Sequence, residues 1–230
     1  MITLRPGNER GHANHGWLDS YHTFSFAGYH DPRHMGVSAL RVINDDKIQG
    51  GQGFGAHPHH HMEIVTYVLQ GTLEHQDNTG ARAQLQTGEI QVMHAGTGIV
   101  HSEYNASQTD LLHLLQIWLL PNTKAVQPGH AQKSFADQIG ATRIVSPDGQ
   151  DGSLKIHQDA SIWQLKFDGE TRDVQHALNR DRTYYLHVAT GELTLNGTRM
   201  QAGDGATLEN ETLAHVQADG PTQALLFDLP

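Results

Sequence analysis

Short runs of apolar, β-prone residues broken by glycine recur along the chain, and helical periodicity is weak almost everywhere. Runs rich in Val, Ile, Leu, Thr and Tyr between turn signals are the mark of strands. They predict strands over 39–43, 63–69, 71–77, 90–93 and 111–119 in the first half. In the second half they predict strands over 154–158, 162–167, 184–188, 192–195 and 224–228. Asn78-Thr79-Gly80 and Asn196-Gly197 read as hairpin turns, since Asn and Gly tolerate positive φ. One short helix is expected over 132–139, and 121–128 reads as a connector between halves. The fold class expected from this pattern is all-β.

A faint internal repeat supports the division. Tyr67-Val68-Leu69-Gln70-Gly71-Thr72-Leu73, a turn, then Leu85-Gln86-Thr87-Gly88-Glu89 returns in outline. The later version begins Tyr185-Leu186-His187-Val188-Ala189-Thr190-Gly191-Glu192-Leu193 and continues through Asn196-Gly197 to Met200-Gln201-Ala202-Gly203-Asp204. Two tandem small β-barrels explain both copies better than one long sandwich. The expected organisation is one barrel over residues 1–125 and another over residues 126–230.

Composition narrows the chemistry. The chain has 230 residues, enough for one large or two modest domains. It contains 18 His and no Cys, which excludes disulfides and zinc-thiolate sites. A formal charge of −10 without clustered Lys and Arg argues against direct nucleic-acid binding. The N-terminus lacks the apolar core of a secretory signal, and the apolar stretch 111–121 is too short to span a bilayer. The expectation is a cytoplasmic protein with no membrane partner.

Candidate ligands occur in two pairs, His57-Pro58-His59 and His101-Ser102-Glu103. Side chains two apart on a strand share a face, so two such strands side by side would aim three imidazoles and one carboxylate at one point. With nitrogen and oxygen donors only, one divalent ion per chain is expected, and Fe(II), Mn(II), Ni(II), Co(II), Cu(II) and Zn(II) all stay open. The second copy of the repeat lacks both pairs, although lone His176 and His215 fall near the corresponding places. The first barrel is therefore expected to carry the metal, and the second to be structural or vestigial.

These spacings resemble the cupin superfamily. Its first motif is Gly, five residues, His-x-His, three or four residues, Glu, six residues, Gly. Here Gly51 is followed by five residues, His57-Pro58-His59, three residues, Glu63, seven residues and Gly71. The second motif is matched less closely by Gly88, His94-Ala95-Gly96, His101 and Asn105. Glu63 lies one position off the longer form of the pattern, and a one-residue slip turns a strand side chain to the other face. Glu103 is therefore favoured over Glu63, giving His57, His59, His101 and Glu103 as the expected set.

Together with the segments at 22–27, 40–46, 61–71 and 95–105, this arrangement closely resembles the pirin-like bicupin family. The resemblance is strong over residues 1–120 and mainly architectural over 121–230. It implies two jelly-roll-like β-barrels in tandem, with metal only in the N-terminal one, held by His57, His59, His101 and Glu103. Similar bacterial members have quercetin 2,3-dioxygenase activity, so the resemblance implies a flavonol-like substrate, O2, ring opening and release of carbon monoxide. Coordination of the flavonol hydroxyl would lower its pKa, and Glu103 is the natural proton acceptor. The animal relative is a nuclear, iron-binding transcriptional cofactor. A non-catalytic, redox-responsive regulator that binds a protein partner is therefore the alternative, beside a different cupin enzyme. The sequence departs from the commoner family form at His60-His61, which leaves spare imidazoles beside the site.

Each residue also has a plainer reading. Taken alone, the 57–61 run also has a plainer reading as a solvated loop that picks up metal adventitiously, and the His101-x-Glu103 pair argues against it. Pro58 suits an edge or strand start because it donates no ladder hydrogen bond. His94 and His113 read as core or hydrogen-bonded histidines rather than ligands. Phe24, Phe26 and Tyr29 read as core packing or a pocket wall. Gly96 and Gly98 read as the tight turn that delivers His101.

Overall fold

Residues 1–123 and 125–230 are described by a computed structural model of the protein. The first strands are β1 (Ile2–Arg5), β2 (Gly11–Asn14), β3 (Leu18–His22), β4 (Leu40–Ile48), β5 (Gly53–His59) and β6 (Glu63–Gln70). There follow β7 (Thr72–Asp77), β8 (Arg82–Gln86), β9 (Glu89–His94), β10 (Ile99–Asn105) and β11 (Leu112–Leu119). The second half begins with β12 (Gly129–Ser134), β13 (Gly140–Ser146), β14 (Leu154–Lys155), β15 (Ser161–Phe167) and β16 (Asp173–Ala177). It ends with β17 (Thr183–Thr190), β18 (Glu192–Leu195), β19 (Thr198–Gln201), β20 (Gly205–Leu208), β21 (Leu213–Gln217) and β22 (Thr222–Leu229).

The strands form two pairs of sheets. In the first half, β12-β9-β6-β11-β4-β3-β2 faces β5-β10-β7-β8. In the second, β1-β20-β17-β22-β15-β13-β14 faces β16-β21-β18-β19. The central order β9-β6-β11-β4 over β5-β10-β7-β8 reappears as β20-β17-β22-β15 over β16-β21-β18-β19, so the internal repeat is a repeated jelly roll. The tandem, all-β architecture is as expected. Both hairpin turns are present, with Gly80, Asn196 and Gly197 at positive φ.

Two strands cross between the halves. β1 pairs with β20, and β12 pairs with β9. Each large sheet is thus completed at the equivalent edge by the strand that leads into the other barrel. The helix expected over 132–139 is not formed, because 129–134 is β12, with Gln132 opposite Gln91. Its largely exposed side chains suit an edge strand with one covered neighbour. The strand expected over 154–158 shortens to Leu154–Lys155, which runs parallel to β13. The connector at 121–128 includes Lys124, which lies outside the described residues.

Alternation divides the work of the large sheets. Ile43, Val65, Tyr67, Leu115 and Ile117 point toward the second half, packing in one core with Ile144, Ile162, Tyr185, Leu225 and Phe227. Each such side chain contributes about 1.5–3 kcal/mol relative to exposure. Their neighbours Asn44, Asp46, Gln116 and Trp118 face the interior of the first barrel, where they line a cavity. Among the described residues, no helix is long and apolar enough to cross a membrane.

Candidate metal centre

Strands β5 and β10 run antiparallel, with His101 opposite His57 and Ile99 opposite His59. The turn before β10 needs positive φ at Gly96 and Gly98, and a Cβ at Gly98 would meet the His60 ring at 2.8 Å. β5 is an edge strand, where the missing donor of Pro58 breaks no ladder. The ring centroids of His57 and His101 stand 4.4 Å apart, those of His57 and His59 4.8 Å, and those of His59 and His101 4.9 Å. One nitrogen from each of the three lies within 4.8 Å of the others.

The hydrogen bonds at the far side of the rings decide which nitrogens converge. His57 Nδ1 is 2.8 Å from the Gly55 carbonyl, which only accepts, so Nδ1 carries the proton and Nε2 the lone pair. His75 Nε2 donates to Asp77 Oδ2 at 3.1 Å, leaving His75 Nδ1 as an acceptor. It receives Gln91 Nε2 at 3.3 Å and faces His101 Nδ1 at 3.5 Å. The same tautomer logic places the lone pair of His101 on Nε2. His101 Nε2 and His57 Nε2 are 3.0 Å apart, so two lone pairs confront each other and call for a shared cation. A separation of this size would let both nitrogens reach one ion at ordinary metal–nitrogen distances of about 2.0–2.1 Å.

Glu103 is buried beside them. A β-bulge between His101 and Glu103 sets Glu103 opposite Phe54. Gln116 Nε2 donates to Glu103 Oε2 at 2.8 Å, and Thr66 Oγ1 donates to Gln116 Oε1 at 2.8 Å. Glu103 Oε1 is buried and has no hydrogen-bond partner among the described residues, as a prospective ligand oxygen would be. Glu103 has an oxygen within 4.8 Å of ring nitrogens of His101 and His75, which form with it a second group of possible ligands. It lines the same cavity as His57 and His59.

Burial, reinforced by the His57 and His60 imidazoles, pulls His59 down to about 4. Burial, with His57, His59 and His75 adding to it, pulls His101 down to about 3. Both rings are therefore uncharged near neutral pH, with lone pairs available to a metal. Burial pushes Glu103 up to about 7 against the Gln116 hydrogen bond, and burial pushes Asp46 up to about 7.

The remaining candidates are used elsewhere. Glu63 Oε2 accepts from His94 Nδ1 at 2.6 Å and from the His157 backbone N–H at 3.1 Å, which turns Glu63 away from the imidazole cluster. His113 Nε2 donates to Asp45 Oδ1 at 2.6 Å. In the second barrel, His176 packs edge-on against Trp163 and His215 pairs with Asp173. Neither belongs to a group of possible metal ligands among the described residues. Phe26 is a pocket wall, whereas Phe24 is core. His75, Asp46, Gln116 and Trp118 were not singled out from sequence. The visible signal was their alternation within strands, His75-x-Asp77 and Gln116-x-Trp118.

Comparison with known proteins gives the family of the chain. The family model described as Pirin matches residues 4–119, and that described as Quercetinase C-terminal cupin domain matches residues 143–229. The chain is 51% identical over 230 residues to the quercetin 2,3-dioxygenase of Escherichia coli (strain K12), covering 100% of this chain and 99% of that one. The crystal structure of YhhW from Escherichia coli matches with a TM-score of 0.96 at 51% identity, covering 100% of this chain and 98% of that one. A second crystal structure, of bacterial pirin YhhW in complex with nickel(II), matches with a TM-score of 0.95 at 51% identity and covers 100% and 99% of the two chains. Fold and site define a two-barrel cupin with a histidine-rich donor set in its first barrel. The chain belongs to the pirin family.

Proposed function

We propose that this chain is a metal-dependent quercetin 2,3-dioxygenase, which opens the central ring of a flavonol with O2 and releases one ring carbon as CO. The observation that carries the reading is the pair of confronting Nε2 atoms of His57 and His101, 3.0 Å apart, beside the unpartnered Glu103 Oε1. The 51% identity to the Escherichia coli enzyme supports the substrate class, and the nickel(II) complex of the bacterial pirin supports a metal. His57, His59, His101 and Glu103 would hold one divalent first-row ion. Fe(II) is the expected occupant, and Ni(II) suits the same donors. When bound, the ion supplies Lewis acidity that lowers the pKa of a substrate hydroxyl. The working compartment is taken to be the cytoplasm, which cell fractionation tests.

The chain's own residues then orient the flavonol and move its proton. Glu103 Oε1, once loosened from the ion it would hold, accepts the proton of the 3-hydroxyl, while the hydrogen bond from Gln116 keeps Oε2 occupied. The buried indole N–H of Trp118, without a hydrogen-bond partner among the described residues, is a donor for a substrate oxygen. Phe26, Phe54 and Trp118 wall the cavity and keep water from the reacting ring. Metal-loaded protein supplied with quercetin is expected to consume O2 and evolve CO. Glu103→Gln is expected to retain metal and lose about 100-fold or more in turnover. Parental turnover by a metal-retaining variant would show that Glu103 is not the base.

A further inference from the structure

The cavity at the imidazole cluster is about 210 Å³, smaller than the roughly 300–1,000 Å³ usual for sites that enclose a small organic ligand. A flavonol carries a fused chelating ring system and a pendant aryl ring, and a cavity of this volume does not enclose both. Beside it lies a second pocket of about 670 Å³, beneath β2, β3 and the loop that follows. Phe26 and Phe54 line both spaces. Their floors are also joined, because Ser20 donates to Asp46 and His22 Nδ1 bonds to Asn44 Oδ1 at 2.9 Å. In each pair the first residue lines the second pocket, and its partner lines the metal cavity.

Ring contacts run without interruption between the two. His59 packs on Trp118 at 5.0 Å, Trp118 on Phe26 at 5.4 Å, Phe26 on His22 at 5.4 Å and His22 on Tyr29 at 6.5 Å. Trp17 and Phe54 close the opposite wall, 5.4 Å apart. Such walls accept a flat aromatic ring at low cost. Polar groups are few and placed. Because the Asn44 Oδ1 contact takes the Nδ1–H of His22, Nε2 is left to accept a hydrogen bond from a phenolic hydroxyl.

We infer that this pocket is a second substrate subsite, which takes the hydroxylated pendant ring of a flavonol while the chelating end faces His57, His59 and His101. The inference rests on the proposed dioxygenase reading and adds the residues that select for the pendant ring. Specificity then resides in the segment 12–29, outside both ligand pairs.

The test compares quercetin with 3-hydroxychromone, which keeps the chelating oxygens and lacks the pendant ring. Two variants act on the pocket in opposite ways: Ala13→Phe fills it, and Trp17→Ala removes a wall. Far-UV circular dichroism and thermal melting first establish that both fold. For metal-loaded protein, KM from O2 uptake and Kd from quenching of tryptophan fluorescence are read for each ligand. Quercetin's KM and Kd are expected to rise about tenfold in both variants, and those of 3-hydroxychromone by less than twofold. Equal shifts for the two ligands, or no shift for quercetin, overturn the subsite while leaving the dioxygenase reading intact. If metal-loaded parental protein neither binds nor oxidises either compound, both readings fall.

Discussion

Single residues set the centre through the nitrogen that faces away from it. Gly55 holds the Nδ1–H of His57, and the Asp77–His75 pair holds His101. Asp77 is itself fixed, because its Oδ1 accepts from the backbone N–H of Thr79 at 2.8 Å and of Ala81 at 3.2 Å. Partners of this kind orient a ligand imidazole and usually change metal affinity about 10–100-fold. His75→Phe keeps the volume and removes the acceptor. Its metal Kd, read by competition with a chromogenic chelator, is expected to rise by about that factor, with one ion still bound per chain. Unchanged affinity would mean that His75 only packs. The convergence of His57, His59 and His101 was legible because side chains two apart on a strand share a face, whereas Glu103 sits past a bulge and groups with His101 and His75. The His75-x-Asp77 pair has the same form, but only the lateral order of strands brings β7 to β10.

Among elements, the sequence marks buried strands and under-reports edges. β6, β11, β17 and β22 are rich in apolar residues at successive positions because both of their faces are covered, one by the barrel interior and one by the other half. β12 has a polar, mostly exposed surface, and its pattern is as compatible with a helix as with an edge strand. Its place is decided by the open edge of β9, which offers unpaired backbone groups. β1 meets the equivalent edge at β20. This reciprocal exchange is a contact between distant segments, and no local pattern announces it. The candidate site escapes this difficulty because β5, although an edge, carries its ligands on the inward face.

On the scale of the whole molecule, a buried histidine lies where the barrels meet. His187 shares the β17 face of Tyr185 and Ala189, which pack in the core common to both halves. Neither ring nitrogen has a hydrogen-bond partner among the described residues. Burial, with Arg10 adding to it and Asp45 opposing, pulls His187 down to about 3. A folded-state value below the unfolded value of about 6.5 means that the unfolded chain binds more protons between the two. The neutral histidine is tolerated above about pH 6.5, and stability is lost as pH falls from there toward 3. Between pH 7 and 5 the parental protein is expected to lose about 2 kcal/mol more than His187→Leu, measured by urea unfolding. Asp46 and Glu103, raised by burial, contribute with the opposite sign but equally in both proteins, so they cancel in the difference. Parallel stability profiles would contradict the assignment.

The central claim is that one ion is shared by imidazoles from β5 and β10. Its most direct test is an anomalous difference map from crystals of metal-loaded protein, collected at the absorption edge of the bound metal. The account predicts one peak per chain, bonded to His57 Nε2, His101 Nε2, a ring nitrogen of His59 and Glu103 Oε1. A peak outside the space between His57, His59 and His101, or none in fully loaded protein, would contradict it.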